Sequence, residues 1–105
     1  MISKIHLIEN LGNIKALDIK NAEFETKWWD LAEATANKLV GGEIYFHKFQ
    51  AKPSFYGGKI TSYRIETEGQ WKGRVIFNFT YNEKFRNVST GKDKWAMEMK
   101  IDLCQ

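Results

Sequence analysis

Apolar and polar residues alternate with a two-residue period over much of the second half of the chain. The segments Glu43–Phe49, Lys59–Glu66 and Lys72–Tyr81 each place most of their large apolar side chains on one face. A half-buried β-strand produces this alternation. The connections between the three segments are too short for parallel crossovers, so the pattern predicts an antiparallel meander.

The most regular alternation lies near the carboxyl end, in Trp95–Leu103. Its odd-numbered residues are apolar, whereas the residues between them are mostly charged. A strand can bury only one of its two faces in a one-sided sheet. The pattern therefore predicts that Met97, Met99 and Ile101 are buried, and that Trp95 belongs to the core.

One helix is predicted, over Asp30–Val40. Asp30 can cap its first turn, and Glu33, three residues later, can complete a capping box. Apolar residues then recur at helical spacing, and Gly41 is the residue type that usually follows a helix in the left-handed conformation.

Two further strands are predicted in the first half of the chain, at Ser3–Ile8 and Ile14–Ile19. No repeat, low-complexity run or linker divides the sequence, so residues 1–105 are interpreted as a single domain. The predicted fold class is α+β, with a mostly antiparallel, strongly curved sheet or small open β-barrel and one main helix.

Composition excludes several classes of protein. The chain has 105 residues, with 43% apolar and 28% charged residues, which is far from the composition of disordered chains. No segment has the length and hydropathy of a membrane span or a signal peptide. The only cysteine is Cys104, so no intramolecular disulfide and no cysteine-based zinc site can form. We expect a cytoplasmic protein with no cofactor and no metal site.

The segment Gln50–Gly58 is the most unusual stretch chemically. It contains the only proline, a glycine pair, two adjacent aromatic residues and the side chains of Gln50, Lys52, Ser54 and Tyr56. The formal charge is +3, and the residues from Lys48 to Arg64 include four cations and no acid. Such a loop is typical of recognition elements, although it is equally typical of a wide turn that plugs the end of a barrel.

Four residues outside this loop are also candidates for ligand contact: Tyr45, His47, Arg64 and Trp71. His47 could act as a general base, as a ligand-binding group, or as a packed ring bonded to the backbone. Trp71 lies in a polar turn bounded by glycines, where partner contact and burial are both open. No nucleophile motif, metal-ligand spacing or phosphate-binding glycine motif supports an enzyme.

The helix end Leu39-Val40-Gly41-Gly42-Glu43, followed by Ile44-Tyr45-Phe46-His47 and a ligand-type loop, resembles the PUA-like superfamily, particularly EVE and ASCH domains. The resemblance covers about Asp30–Arg64. It implies a small β-barrel that reads RNA or a modified base in a pocket lined by aromatic residues, with Tyr45, Phe46 and His47 adjacent to that pocket.

The leading functional hypothesis is a non-enzymatic domain that binds a nucleotide-like or modified-base ligand, or RNA or DNA. In it, aromatic residues near His47 stack on the base, Gln50 and Ser54 bind its edge, and Lys52 or Arg64 lies near a phosphate. The alternative is a protein–protein adaptor that forms a homodimer through an exposed strand edge, of the kind carried by mobile or defence-related bacterial elements. Neither hypothesis involves a membrane.

Overall fold

The computed structural model describes residues 2–103, which contain one seven-stranded sheet and one α-helix. The elements in chain order are β1 (Lys4–Ile8), β2 (Ile14–Asp18), β3 (Glu23–Trp29), α1 (Glu33–Leu39), β4 (Glu43–His47), β5 (Tyr56–Ile65), β6 (Val75–Tyr81) and β7 (Met99–Asp102), with short 3₁₀ turns at Ile19–Asn21 and Glu83–Phe85. No helix in this part of the chain is long and apolar enough to cross a membrane. Cys104 lies outside the described residues.

The strands follow the order β2-β3-β6-β5-β4-β1-β7, and the sheet does not close into a barrel. The meander β4–β5–β6 is antiparallel, as predicted. The sheet is nevertheless mixed, because β1 pairs with β4 in parallel, with Lys4 opposite Glu43. The chain between these two strands forms β2, β3 and α1, which is long enough for a parallel crossover.

The helix is shorter than predicted, since α1 begins at Glu33 and not at Asp30. Trp29 still pairs with Val75 as the last residue of β3, so the chain is extended there and the N-cap falls on Ala32, which makes no side-chain cap. The predicted capping box is therefore wrong. Gly41 does follow the helix with a left-handed φ of 87°, as predicted.

The last strand is also shorter than predicted. β7 contains only Met99–Asp102, because the chain turns between Ala96 and Met99, where Met97 has a φ of 58°. Met97 is 87% exposed, so its predicted burial is wrong. Met99 and Ile101 are half-buried and pack against the core, while Lys100 on the other face is buried.

The core lies on one face of the sheet and includes Ile5, Leu7, Phe46, Phe77 and Phe79, all fully buried. These residues come from β1, β4 and β6. The aromatic rings interlock, as in the pair Phe46–Phe79, whose centroids are 5.4 Å apart. This close-packed face leaves the opposite face of β1 and β4 available for other chemistry.

The glycine pair belongs to β5 and not to the loop in which it was predicted. A Cβ on Gly57 would lie 2.4 Å from the carbonyl oxygen of Ile44, and a Cβ on Gly58 would lie 2.0 Å from that of Thr80. The glycines therefore allow close approach of neighbouring strands. The loop itself is limited to the residues between His47 and Tyr56.

Candidate functional site

Two cavities border the segment Val88–Glu98, which precedes β7. The larger one, which we name the tryptophan groove, has a volume of about 830 Å³. It is lined by residues from the end of β1 and the following turn, the end of β3, the β5–β6 loop and the segment around β7: Ile8, Glu9, Asn10, Leu11, Asn13, Lys27, Trp28, Trp29, Asp30, Trp71, Arg74, Lys94, Ala96, Met97, Glu98, Met99 and Ile101. Strands from opposite halves of the sheet therefore meet at this groove.

An aromatic stack forms one wall of the tryptophan groove. The indole rings of Trp28 and Trp71 are nearly parallel, with centroids 5.5 Å apart. The guanidinium of Arg74 lies over the Trp71 ring at 5.5 Å, and the Lys27 ammonium lies over the Trp28 ring at 4.9 Å. Nε1 of Trp28 donates a 2.9 Å hydrogen bond to Glu66, which orients the stack.

Charge in the tryptophan groove is balanced. Its lining includes three cations, Lys27, Arg74 and Lys94, and three acids, Glu9, Asp30 and Glu98. The carboxylate of Glu9 is occupied by the backbone N–H groups of the turn at residues 11–13, at 3.2 and 2.9 Å. The lining therefore has no net charge that would favour a polyanion.

The smaller cavity, which we name the histidine pocket, has a volume of about 260 Å³. It lies on the face of β1, β4 and β7 opposite the core. Its lining consists mainly of polar side chains: Lys4, His6, Tyr45, Val88, Ser89, Thr90, Asp93, Lys94, Lys100 and Asp102.

The register of three strands assembles this pocket. His6 of β1 lies beside Tyr45 of β4 and beside Lys100 of β7. The imidazole stacks on the Tyr45 ring, with centroids 4.7 Å apart and an interplanar angle of 12°. Burial, together with a 2.8 Å hydrogen bond to Glu43, raises the pKa of Tyr45, so its hydroxyl stays protonated.

A hydrogen-bonded histidine pair lies beneath the pocket. Nδ1 of His6 is 2.9 Å from Nε2 of His47, and Nδ1 of His47 is 2.8 Å from the carbonyl oxygen of Lys52. Burial, followed by the electrostatic effects of His47, Lys100 and Lys4, lowers the pKa of His6 to about 4. Burial also lowers the pKa of His47, in spite of its bond to the Lys52 carbonyl. Both imidazoles are therefore neutral at pH 7.

Trp95 covers this pair from the segment before β7. Its ring meets His47 edge-on, at 90° and 5.7 Å, and is half-buried, which only partly agrees with its predicted place in the core. Its indole Nε1 is buried without a hydrogen-bond partner among the described residues. A buried, unpaired donor costs stability.

Three candidate residues of the loop after β4 make hydrogen bonds within the protein, two through their side chains and Lys52 through its backbone only. Gln50 donates a 2.7 Å bond to the carbonyl of Met97, and Lys52 uses its own carbonyl to accept from His47. Ser54 is 2% exposed, and its hydroxyl donates to the carbonyl of Phe85 and accepts from the N–H of Val88. The loop thus ties together segments on both sides of the histidine pocket.

The remaining candidates are spread over the molecule. Tyr56 stacks on Tyr81 at 4.3 Å, and Arg64 pairs with the buried carboxylate of Glu25 at 3.2 Å. Phe46 lies in the core, on the face opposite Tyr45. Of the residues selected from the sequence, Tyr45 and His47 both contact His6, and Trp71 lines the tryptophan groove.

Comparisons of the chain with protein-family models, with curated proteins and with solved structures found no match. Among residues 2–103, no group of three or more His, Cys, Asp or Glu side chains is arranged to hold a metal ion.

Sequence reasoning missed three residues that define these cavities: His6, Trp28 and Arg74. His6 lies within a predicted strand between Ile5 and Leu7, and a polar residue there is an ordinary outward-facing position. Trp28 belongs to β3, a strand that the sequence analysis does not predict because it carries the charges of Glu25 and Lys27. The structure pairs these two charges at 3.1 Å.

Proposed function

We propose that this chain is a non-enzymatic binding domain that holds a planar, nucleobase-like ligand in the tryptophan groove. The ligand is either a free nucleoside-like molecule or an exposed base of a nucleic acid strand. The observation that carries the proposal is the Trp28–Trp71 stack with a guanidinium over its outer ring, at the wall of a large open groove.

The size and lining of the groove support this ligand class. A volume of about 830 Å³ falls within the roughly 300–1,000 Å³ of most small-molecule sites. Its lining combines apolar side chains with a few polar groups, such as Asn10 and Asn13, that could bind the edge of a base. Trp71 is 36% exposed although it is large and aromatic.

The spacing of the stack determines where a base would lie. A ring inserted between two others needs about 7 Å between their planes, since carbon atoms in contact are about 3.5 Å apart. The centroids of Trp28 and Trp71 are only 5.5 Å apart, so no base fits between them. The base would instead stack on the Arg74 guanidinium, or displace that guanidinium and stack directly on the ring of Trp71.

The test begins with a thermal-shift panel of nucleosides and modified nucleosides, followed by titration of the best ligand against tryptophan fluorescence. Trp71→Ala should weaken binding by about 1–3 kcal/mol, the usual value of one base–aromatic stack. Phe49→Ala is the matched control, because Phe49 is 61% exposed but does not line the groove. Equal affinity in the wild type and Trp71→Ala, or no shift with any ligand, would contradict the proposal.

Salt dependence provides a second, independent measurement. Because the charges in the groove balance, affinity for a short single-stranded oligonucleotide should change little with salt concentration. Arg74→Gln should weaken binding more than Lys84→Gln, since Lys84 is an exposed cation outside the groove. A steep salt dependence with equal effects of the two variants would instead indicate nonspecific binding of the phosphate backbone.

The homodimer hypothesis has its own support at the same groove. Leu11 and Met97 line the groove and are 83% and 87% exposed, and β2 and β7 are the two edges of the sheet. Exposed apolar side chains next to a free strand edge favour pairing between chains. Sedimentation of the wild type and of Met97→Lys tests this alternative, which predicts a dimer that the substitution dissociates.

A further inference from the structure

The histidine pocket contains a basic nitrogen whose protonation state is set by its partners. The carbonyl oxygen of Lys52 can only accept, so Nδ1 of His47 carries a proton. Neutral His47 then has a bare Nε2, to which Nδ1 of His6 must donate. Neutral His6 is left with its lone pair on Nε2. The hydrogen-bond chain thus fixes one tautomer for each ring.

His6 lines the pocket, and its Nε2 is the ring nitrogen that is not bonded to His47. Nδ1 of His6 is engaged with His47, and one face of the ring lies on Tyr45, while His6 itself lines the cavity. Nε2 makes no hydrogen bond to any of the described residues. His6 is 5% exposed, so this acceptor sits in a largely buried, preorganised ring.

The rest of the lining favours an anion. The lining has three lysines, Lys4, Lys94 and Lys100, against the two acids Asp93 and Asp102, and Lys4 also lies 4.0 Å from the carboxylate of Glu43 outside the lining. The ammonium of Lys100 is held by the carbonyl of Gly91 at 3.0 Å and by Asp93 at 3.7 Å. Lys94 makes no ion pair within residues 2–103, and Ser89 and Thr90 also line the cavity.

We propose that the histidine pocket binds a phosphate group that carries a proton, as hydrogen phosphate or as a protonated phosphate monoester. The P–OH group donates to Nε2 of His6, and the charged oxygens accept hydrogen bonds from Lys94 and the two hydroxyls. A volume of about 260 Å³ accommodates such a small group, and is below that of most sites for larger ligands.

The bare nitrogen makes the pocket selective. Sulfate has the same shape as phosphate but carries no proton near neutral pH, and a phosphodiester has no O–H group at all. Each would place an oxygen lone pair against the lone pair of His6, which leaves a buried acceptor unpaired. The pocket therefore discriminates between oxyanions by their protonation and not by their shape.

The experiment uses nitrogen-15 NMR of the histidine rings at pH about 6, where a monoester is about half protonated. Inorganic phosphate and sulfate are titrated separately at matched ionic strength. Phosphate should shift the His6 Nε2 resonance saturably, and sulfate should not. Equal shifts with the two anions, or no saturable shift with phosphate, would overturn the proposal.

Two variants of one residue isolate the nitrogen responsible. His6→Asn keeps an amide donor near the position of Nδ1 but removes the pocket acceptor, and it should weaken phosphate binding by about tenfold or more. His6→Gln places its amide near the position of Nε2 and should retain more of the affinity. Unchanged affinity in His6→Asn would overturn the proposal, while the phosphate–sulfate comparison on the wild type needs no variant.

Two sources of the phosphate are separated by comparing inorganic phosphate with oligonucleotides that carry a 5′-phosphate or a 5′-hydroxyl. Tighter binding of the 5′-phosphorylated strand than of both other probes assigns the pocket to a nucleic acid terminus. Equal or tighter binding of inorganic phosphate assigns it to a free phosphate. If the 5′-hydroxyl strand binds and competes with phosphate, the claim that the bound phosphate group must carry a proton is overturned. Trp71→Ala should leave phosphate binding intact. The proposals for the histidine pocket and for the tryptophan groove can therefore be refuted independently.

Discussion

Lowering the pH from 7 to 4 should destabilise the fold through His6. Its pKa is lowered from 6.5 to about 4 in the folded protein, mainly by burial and then by His47, Lys100 and Lys4. Between these values the unfolded chain binds a proton that the folded chain excludes. Stability therefore falls as the pH falls through this range.

The size of the effect follows from the pKa difference. Each unit corresponds to about 1.4 kcal/mol, so His6 should remove about 3 kcal/mol of unfolding free energy between pH 7 and pH 4. His6 is 5% exposed, so solvent screening reduces this value little. A loss of this size is a large fraction of the stability of a small domain.

The measurement is urea unfolding at several pH values between 7 and 4, for the wild type and His6→Asn. Buried carboxylates also make the fold less stable in acid. One example is Glu25, whose pKa is lowered by Lys27 and Arg64 against the effect of burial. They do so in both proteins, so only the difference between the two pH profiles reports on His6. The wild type should lose about 3 kcal/mol more than the variant. Parallel profiles would refute this account of the histidine pair.

Three further predictions concern packing. Ile101→Ala should cost about 1–3 kcal/mol, whereas Met97→Ala should stay within about 0.5 kcal/mol in urea unfolding, because Met97 is 87% exposed; equal losses would contradict the turn before β7. Ser54→Ala should cost about 2–4 kcal/mol, since two backbone groups lose their partner, and a stable variant with altered ligand binding would return this residue to the binding surface. Gly58→Ala should lower the melting temperature strongly, because its Cβ would lie 2.0 Å from the carbonyl oxygen of Thr80; an unchanged melting temperature would show that the strands can separate there.

Patterns in short stretches of sequence predicted most of the elements whose formation depends on residues close together in the chain. The alternation in Lys72–Tyr81 identified β6, whose Phe77 and Phe79 are fully buried. The turn chemistry of Gly41 marked the end of α1. These features depend on side chains that are close together in the sequence, so the sequence contains the relevant information.

Local patterns failed where a distant contact overrides them. The sequence did not predict β3, because Glu25 is charged. The carboxylate of Glu25 is buried in ion pairs with Lys27 and with Arg64, and Arg64 lies 39 residues away in the sequence. The alternation before β7 continued in the sequence through Met97, although the chain turns there.

The sequence by itself determined the β-rich class, the single helix and the apolar face of the central strands, because burial of alternating side chains is a local requirement. Only the tertiary structure decided that β1 lies between β4 and β7, which brings His6 beside Tyr45 and Lys100. It likewise decided that Trp28 and Trp71 stack across a groove. Both candidate sites arise from strand order and register, which are set by pairing between segments far apart in the chain and leave no mark in any short stretch of sequence.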